Sequence, residues 1–302
     1  MSESVKVQPV FDFSSQPNVG RMPEWIRQAF GNADYGQTSR TISENALTTV
    51  CEEARCPNRG ECWSRGTATF MLLGDTCTRA CGFCAVKTGR PDAVELDEPN
   101  RIAKAADAMG LDYIVLTSVN RDDQDDGGAG IFAETLKALR AKNAGMKLEL
   151  LTPDFHGCQP KAIELISTAM QQVAGDNFLV WGHNVETVPH LYRRVRKGSS
   201  YARSLDLLAQ VSDDPLIEAK SALMLGLGEK RQEVITVLSD LQRAGVSRIA
   251  LGQYLRPSRY HLAVEEYITP EQFNEYERIA KDLGFSWVKA GPLVRSSYHA
   301  ED

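Results

Sequence analysis

Beyond residue 67, short apolar, β-branched runs alternate with stretches of helical period. The runs fall at 68–73, 113–117, 147–151, 178–181, 221–225 and 248–254. Each precedes a segment whose apolar residues recur every three or four positions, among them 101–109, 131–142, 161–170, 203–211, 231–244 and 271–283. Gly110, Gly245 and Gly284 stand where a left-handed residue ends a helix before the next strand. Six strand–helix units in series predict an α/β fold with a parallel sheet. Six are too few to close an eight-fold barrel, so the expected architecture is a partial (β/α)6 TIM-like barrel over 67–285. The first 40 residues are irregular apart from a short amphipathic helix near 23–30. An N-terminal extension, 1–66, and a C-terminal segment, 286–302, are expected to cover the mouth.

Polar and glycine-rich residues gather just after the strands. Thr117, Ser118 and Asn120 follow the second run, Thr152 and Asp154 the third, His183, Asn184 and Glu186 the fourth, and Gly226, Gly228 and Glu229 the fifth. Such placement makes them candidates for ligand contact at a barrel mouth. His183, Asn184 and Glu186 could equally satisfy backbone groups at a strand terminus. Gly226 and Gly228 lack the third glycine of a dinucleotide fingerprint, so they are read as letting backbone approach a ligand. The acidic run 122–128 lacks the ligand positions of an EF-hand and is read as leading into the helix near Ile131.

The chain has 302 residues, 42% of them hydrophobic, enough for a substantial core. A formal charge of −6 argues against non-specific nucleic-acid binding, and no stretch approaches a membrane span. The basic run 192–197 is the local exception. It reads as a solvated helix face, or as a dock for an acidic protein.

Cysteine changes the picture most. Six of seven fall in two triplets, Cys51, Cys56, Cys62 and Cys77, Cys81, Cys84. Three thiolates on a short loop can hold three irons of a cubane and leave the fourth open to a small molecule. Disulfides are disfavoured because 1–20 is polar and unlike a signal peptide, which points to a reducing cytoplasm. Zinc is the stronger rival, but its motifs supply thiols in pairs, and here they come in threes. Cys158 stands alone and reads as a structural thiol.

Cys77-Thr78-Arg79-Ala80-Cys81-Gly82-Phe83-Cys84 after a first strand resembles the radical S-adenosylmethionine (SAM) superfamily, with Phe83 the aromatic residue before the third cysteine. The resemblance implies that this triplet ligates a 4Fe-4S cluster whose open iron chelates SAM, and that one electron then yields a 5′-deoxyadenosyl radical. Placement at the mouth makes Phe83, Thr117, Ser118, Asn120, Asn184 and Glu186 the candidate SAM contacts. C-E-E-A-R-C-P-N-R-G-E-C-W, L-T-S-V-N-R-D-D, L-T-P-D-F, H-N-V-E-T-V-P-H-L-Y, L-G-Q-Y-L-R-P-S and G-P-L-V-R-S-S-Y-H-A resemble the signature blocks of the lipoyl synthase family, from about residue 44 to residue 300.

That resemblance implies a second, auxiliary 4Fe-4S cluster on Cys51, Cys56 and Cys62, with Ser297 as fourth ligand and Ser296 as the alternative. It implies that two sulfurs from this cluster are inserted at carbons 6 and 8 of a protein-bound octanoyl-lysine. The implied partners are an octanoylated lipoyl domain or glycine-cleavage H protein, and a reductant such as flavodoxin or ferredoxin. A serine alkoxide is a hard donor on a cluster otherwise held by soft thiolates, so its bond is the one most easily lost by protonation. The competing readings are another two-cluster radical SAM sulfurtransferase or methylthiotransferase, and a two-cluster electron carrier. Six strand–helix units with polar strand ends exceed what a carrier needs.

Overall fold

The computed structural model describes residues 15–26, 40–42, 44, 45, 47–53, 56, 58, 69–173, 178–298 and 300. Cys62 lies outside them, as does most of the helix expected near 23–30, of which the 3-10 turn Glu24–Ile26 is described.

Ten strands are described: β1 Thr48–Thr49, β2 Thr69–Leu72, β3 Thr76–Cys77, β4 Lys87–Thr88, β5 Tyr113–Ser118, β6 Lys147–Leu151, β7 Leu179–Gly182, β8 Ile217–Leu225, β9 Arg248–Gln253 and β10 Trp287–Gly291. Eight form one sheet in the order β1-β2-β5-β6-β7-β8-β9-β10. From β2 to β10 every neighbour pair is parallel, and only the edge strand β1 runs antiparallel, with Thr49 opposite Phe70. Strands β3 and β4 form a separate parallel pair that carries Cys77. The six expected strands are all present, and β10 adds a seventh to the parallel set.

Helices Glu98–Ala108, Ala129–Lys142, Gln159–Gln171, Tyr201–Ser212, Arg231–Arg243 and Pro270–Asp282 connect these strands. Their limits follow from local chemistry. Thr269 accepts the Gln272 amide while the Gln272 side chain accepts the Thr269 amide, and Pro270 occupies the first turn. Asp126 accepts the amides of Gly128 and Gly130, so the acidic run does lead into a helix. At Gly245, where φ is +79°, a Cβ would stand 2.6 Å from the Ser212 Cβ, so this helix end requires glycine twice over.

Parallel strands covered on both faces should be apolar throughout, and all six residues of β9 and all four of β7 are buried. Exceptions are Arg248 and Gln253 of β9 and a charge pair within the sheet. Lys220 of β8 donates to both oxygens of Glu149 of β6, at 2.8 and 2.9 Å, and the Tyr113 hydroxyl donates to the same carboxylate at 2.6 Å. Its Nζ stands 4.6 Å from the centroid of the Trp287 ring. Buried ions persist only when so enclosed by partners. Among the described residues no helix is long and apolar enough to cross a membrane.

Candidate functional site

Strand β3 and the loop after it hold the second thiol triplet at the C-terminal ends of the parallel strands. Cys77 Sγ accepts the amides of Arg79 and Asn120 at 3.4 and 3.3 Å. Gly82 donates to Val195 O, Leu262 donates to Gly82 O, and His261 Nε2 stands 3.0 Å from Cys84 O. A side chain at Gly82 would press within 3.0 Å of Arg194 O and Leu262, so the backbone there is closely enclosed. Arg79, which motif matching does not single out, ties the loop down. It bonds Asp122 through Nε and Nη2 at 2.7 and 2.6 Å, Asp154 at 2.8 Å and Ser199 at 3.2 Å. Asp154 also pairs with Arg203.

Burial pushes the Cys81 thiol up to about 11, with Arg196 and Arg79 opposing the shift, and it pushes Cys84 up as well. Burial disfavours the thiolate form here, so a metal centre bound through these sulfurs would have to compensate that cost. None of the described cysteines is in a disulfide. Among the described residues no three His, Cys, Asp or Glu side chains are gathered closely enough for a single ion.

A cavity of about 360 Å³ opens beside this loop. Phe83, Cys84, Asn184 and Glu186 line it, and so do Cys51, Cys56, Ser296 and Ser297. Distant parts of the chain meet there: Asn58 Nδ2 donates to Leu293 O at 2.7 Å, across 235 residues. Cys51 is buried and Cys56 half-buried. The Ser296 hydroxyl is buried without a hydrogen-bond partner, whereas Ser297 is half-buried. An orphaned hydroxyl beside two thiols fits a metal ligand, since its desolvation is otherwise uncompensated.

The expected SAM contacts separate. Phe83, Asn184 and Glu186 line the cavity. Glu186 sits at φ +65° and still bridges to the sheet, its amide bonding Ala222 O and its carbonyl accepting Met224 N, so a strained backbone presents its side chain. Asn184 Nδ2 donates to Glu186 Oε1 at 3.0 Å, and Asn184 Oδ1 is buried without a partner. Thr117 donates its hydroxyl to Leu151 O, an inter-strand bond. The Ser118 hydroxyl is buried and unpartnered. Asn120 O accepts the Thr78 amide and hydroxyl.

Other residues resolve their alternatives. His183 satisfies Thr152 O through Nδ1 at 2.8 Å and meets Ser204 through Nε2 at 2.9 Å, the structural role. Glu229 accepts the Gly226 and Leu227 amides, so this glycine loop is closed by its own carboxylate. Cys158 is half-buried, its thiol 3.6 Å from Phe155 O. In the basic run Arg193 and Lys197 are exposed and Arg194 half-buried, as a solvated face requires, while Tyr192, Val195 and Arg196 are buried.

The Radical SAM superfamily model matches residues 71–241. The fold resembles the crystal structure of Streptococcus suis SuiB bound to S-adenosylmethionine, with a TM-score of 0.55 and 12% identity, covering 78% of this chain and 54% of that one. At that identity the likeness speaks for the fold. The lipoyl synthase of Coxiella burnetii (strain Dugway 5J108-111) is 48% identical over 283 residues, which are 93% of this chain and 88% of that protein. Lipoyl synthase 2 of Parasynechococcus marenigrum (strain WH8102) is 48% identical over 93% of this chain and 96% of its own length. The chain belongs to the lipoyl synthase family of the radical SAM superfamily.

Proposed function

We propose that this enzyme inserts two sulfur atoms, at carbons 6 and 8, into an octanoyl-lysine carried by a lipoyl domain or glycine-cleavage H protein, in the cytoplasm, with flavodoxin or ferredoxin as reductant. The observation that carries the reading is the single cavity lined both by Phe83 and Cys84 and by Cys51, Cys56, Ser296 and Ser297. A two-cluster electron carrier has no need of a shared chamber, and sulfur transfer does.

In this reading the sheet curls as a partial barrel over 67–285, with 1–66 bearing the auxiliary motif and 286–302 returning to it. Cys77, Cys81 and Cys84 hold one 4Fe-4S cluster. With SAM bound, that cluster would supply the one-electron sulfonium cleavage needed to attack an unactivated C–H bond, which no acid or base can ionise. Asn184 and Glu186 offer an acceptor and a carboxyl to the nucleotide, and Phe83 shields the cysteine loop. Thr117, Ser118 and Asn120 are kept as contacts, of which the unpartnered Ser118 hydroxyl is best supported. Leu223, Met224, Ala250 and Tyr254 line the same chamber, where an alkyl chain is bound by burial and water is excluded.

The sulfur donor would be an auxiliary 4Fe-4S cluster on Cys51, Cys56, Cys62 and a serine, consumed as a substrate. The sequence favours Ser297, and the orphaned hydroxyl favours Ser296. Ser297→Ala and Ser296→Ala are therefore made separately. The true ligand's variant should retain SAM cleavage and lose sulfur insertion. Product analysis after one turnover with an octanoylated domain tests the whole reading: a dithiolated chain supports it, and a methylthio product or an unchanged chain sinks it.

A further inference from the structure

The loop that follows β5 is fastened onto the first cysteine of the second triplet. Asn120 N donates to Cys77 Sγ at 3.3 Å while Asn120 O accepts the Thr78 amide at 3.1 Å, so the sulfur takes the place that a carbonyl would have in a strand pairing. The Thr78 hydroxyl closes the join from both sides. As donor it lies 3.0 Å from Asn120 O and 3.1 Å from Asp122 Oδ2, and it accepts the Asp122 amide at 3.2 Å. Asp122 in turn accepts Arg79 Nε and Nη2 at 2.7 and 2.6 Å. The other amide on Cys77 Sγ, that of Arg79 at 3.4 Å, is local, whereas Asn120 comes from 43 residues away.

Thr78 is half-buried and Asp122 exposed, so neither is needed to fill the core. What their bonds fix is the distance from the Asn120 amide to one sulfur. A thiolate-held cluster gains negative charge on reduction, and amides that donate to its sulfurs stabilise that charge. We propose that Thr78 and Asp122 are positioning residues that hold the Asn120 amide on Cys77 Sγ and thereby raise the reduction potential of the cluster at Cys77, Cys81 and Cys84. The inference rests on the reading that these three thiols hold that cluster, and it is independent of the auxiliary one. The loop whose Asn120 side chain is kept as a SAM contact thus also governs how readily the cluster accepts an electron.

The test is a redox titration of the anaerobically reconstituted enzyme without SAM, followed by electron paramagnetic resonance, with iron counted on each sample. The signal that changes when SAM is added afterwards identifies the cluster concerned. Thr78→Val keeps the β-branched shape and removes the hydroxyl, which leaves the Asp122 amide without this acceptor. It should lower the reduced-to-oxidised ratio about fivefold at fixed potential, which is about 41 mV for one electron. Thr78→Ser keeps the hydroxyl and should restore the wild-type potential. Asp122→Ala leaves the Thr78 bonds to Asn120 O in place and should lower the ratio about threefold, about 28 mV.

An unshifted or raised potential in iron-loaded Thr78→Val overturns the proposal, and so does failure of Thr78→Ser to restore it. A merely structural role would lower the unfolding midpoint and leave the potential of the loaded protein where it was. If Thr78→Val loses its iron, Asp122→Ala decides on the same readout, and loss of iron from both assigns the pair to holding the loop alone and overturns the tuning. Cys77→Ala that keeps the SAM-responsive signal overturns the cluster assignment itself, a failure that the potentials of the Thr78 variants do not produce.

Discussion

Residues 77–84 are fastened to the sheet at several points: Arg79 reaches Asp122 and Asp154, Gly82 is bonded on both sides by Val195 and Leu262, and Cys77 accepts two amides. Around Cys51 and Cys56 the described bonds are local or reach the C-terminal segment. Cys56 N bonds Cys51 O, and Asn58 reaches Leu293. One region is tied to loops that follow the parallel strands, and the other is joined to the C-terminal segment through Asn58 and Leu293. A site that must bind and cleave a cofactor at every turnover gains from a fixed frame. In the proposed reading the other site gives up its cluster's sulfur, and such a site gains from walls that part, because rebuilding needs access.

The largest effects test that division directly. Cys81→Ala should abolish SAM cleavage, read as loss of 5′-deoxyadenosine. Cys56→Ala should still cleave SAM and form no carbon–sulfur bond. Equal loss of cleavage in two folded variants would erase the contrast.

Next in size is the frame itself. Arg79→Ala leaves Asp154, which is 1% exposed, with Arg203 as its remaining guanidinium partner and frees Asp122. Because Arg203 still compensates Asp154, the loss is that of charged hydrogen bonds and should be about 3 kcal/mol in denaturant unfolding. A cost below about 1 kcal/mol would show that the loop is not held by this residue.

Why Arg79 escapes a reading of the sequence is clear from its partners, which lie 43 residues away at Asp122 and still farther at Asp154. A motif shows which thiols form a loop, not what restrains it. The six strand–helix units and the glycine helix ends are legible because period and backbone conformation are local properties. Strand Trp287–Gly291 is not, since Trp-Val-Lys-Ala-Gly has no alternation and all five residues are half-buried at the sheet's edge. Arg196 is concealed by its neighbours' charge, although Tyr192, Val195 and Arg196 share the helical spacing that marks a buried face. The cavity that joins the two thiol sets depends on contacts over more than 200 residues and leaves no local trace.

Acid should weaken the framed region by a smaller amount. His183 is 1% exposed, and burial beside Arg196 and Arg79, only partly offset by Asp154, lowers its pKa to about 4 from 6.5. A depressed histidine contributes stability while neutral, so the contribution is present above pH 6.5 and is lost as pH falls toward 4. Between pH 7 and pH 5 the loss should be about 2 kcal/mol in denaturant unfolding. His183→Asn should remove most of that dependence, and an unchanged slope would assign it elsewhere.

The smallest effect is the most selective. Asn58→Ala removes one hydrogen bond to Leu293 O, worth about 1 kcal/mol, and leaves that carbonyl without its amide donor. Global unfolding should barely register it. Because this bond holds the C-terminal segment against the auxiliary motif, the variant should cleave SAM at the wild-type rate, lose iron faster from the auxiliary site during anaerobic gel filtration, and yield less dithiolated product per chain. Arg79→Ala should give the opposite pattern, with cleavage impaired first. If Asn58→Ala slows cleavage and sulfur insertion in equal proportion, the two regions share one frame and the contrast between a fixed site and a closable one is wrong.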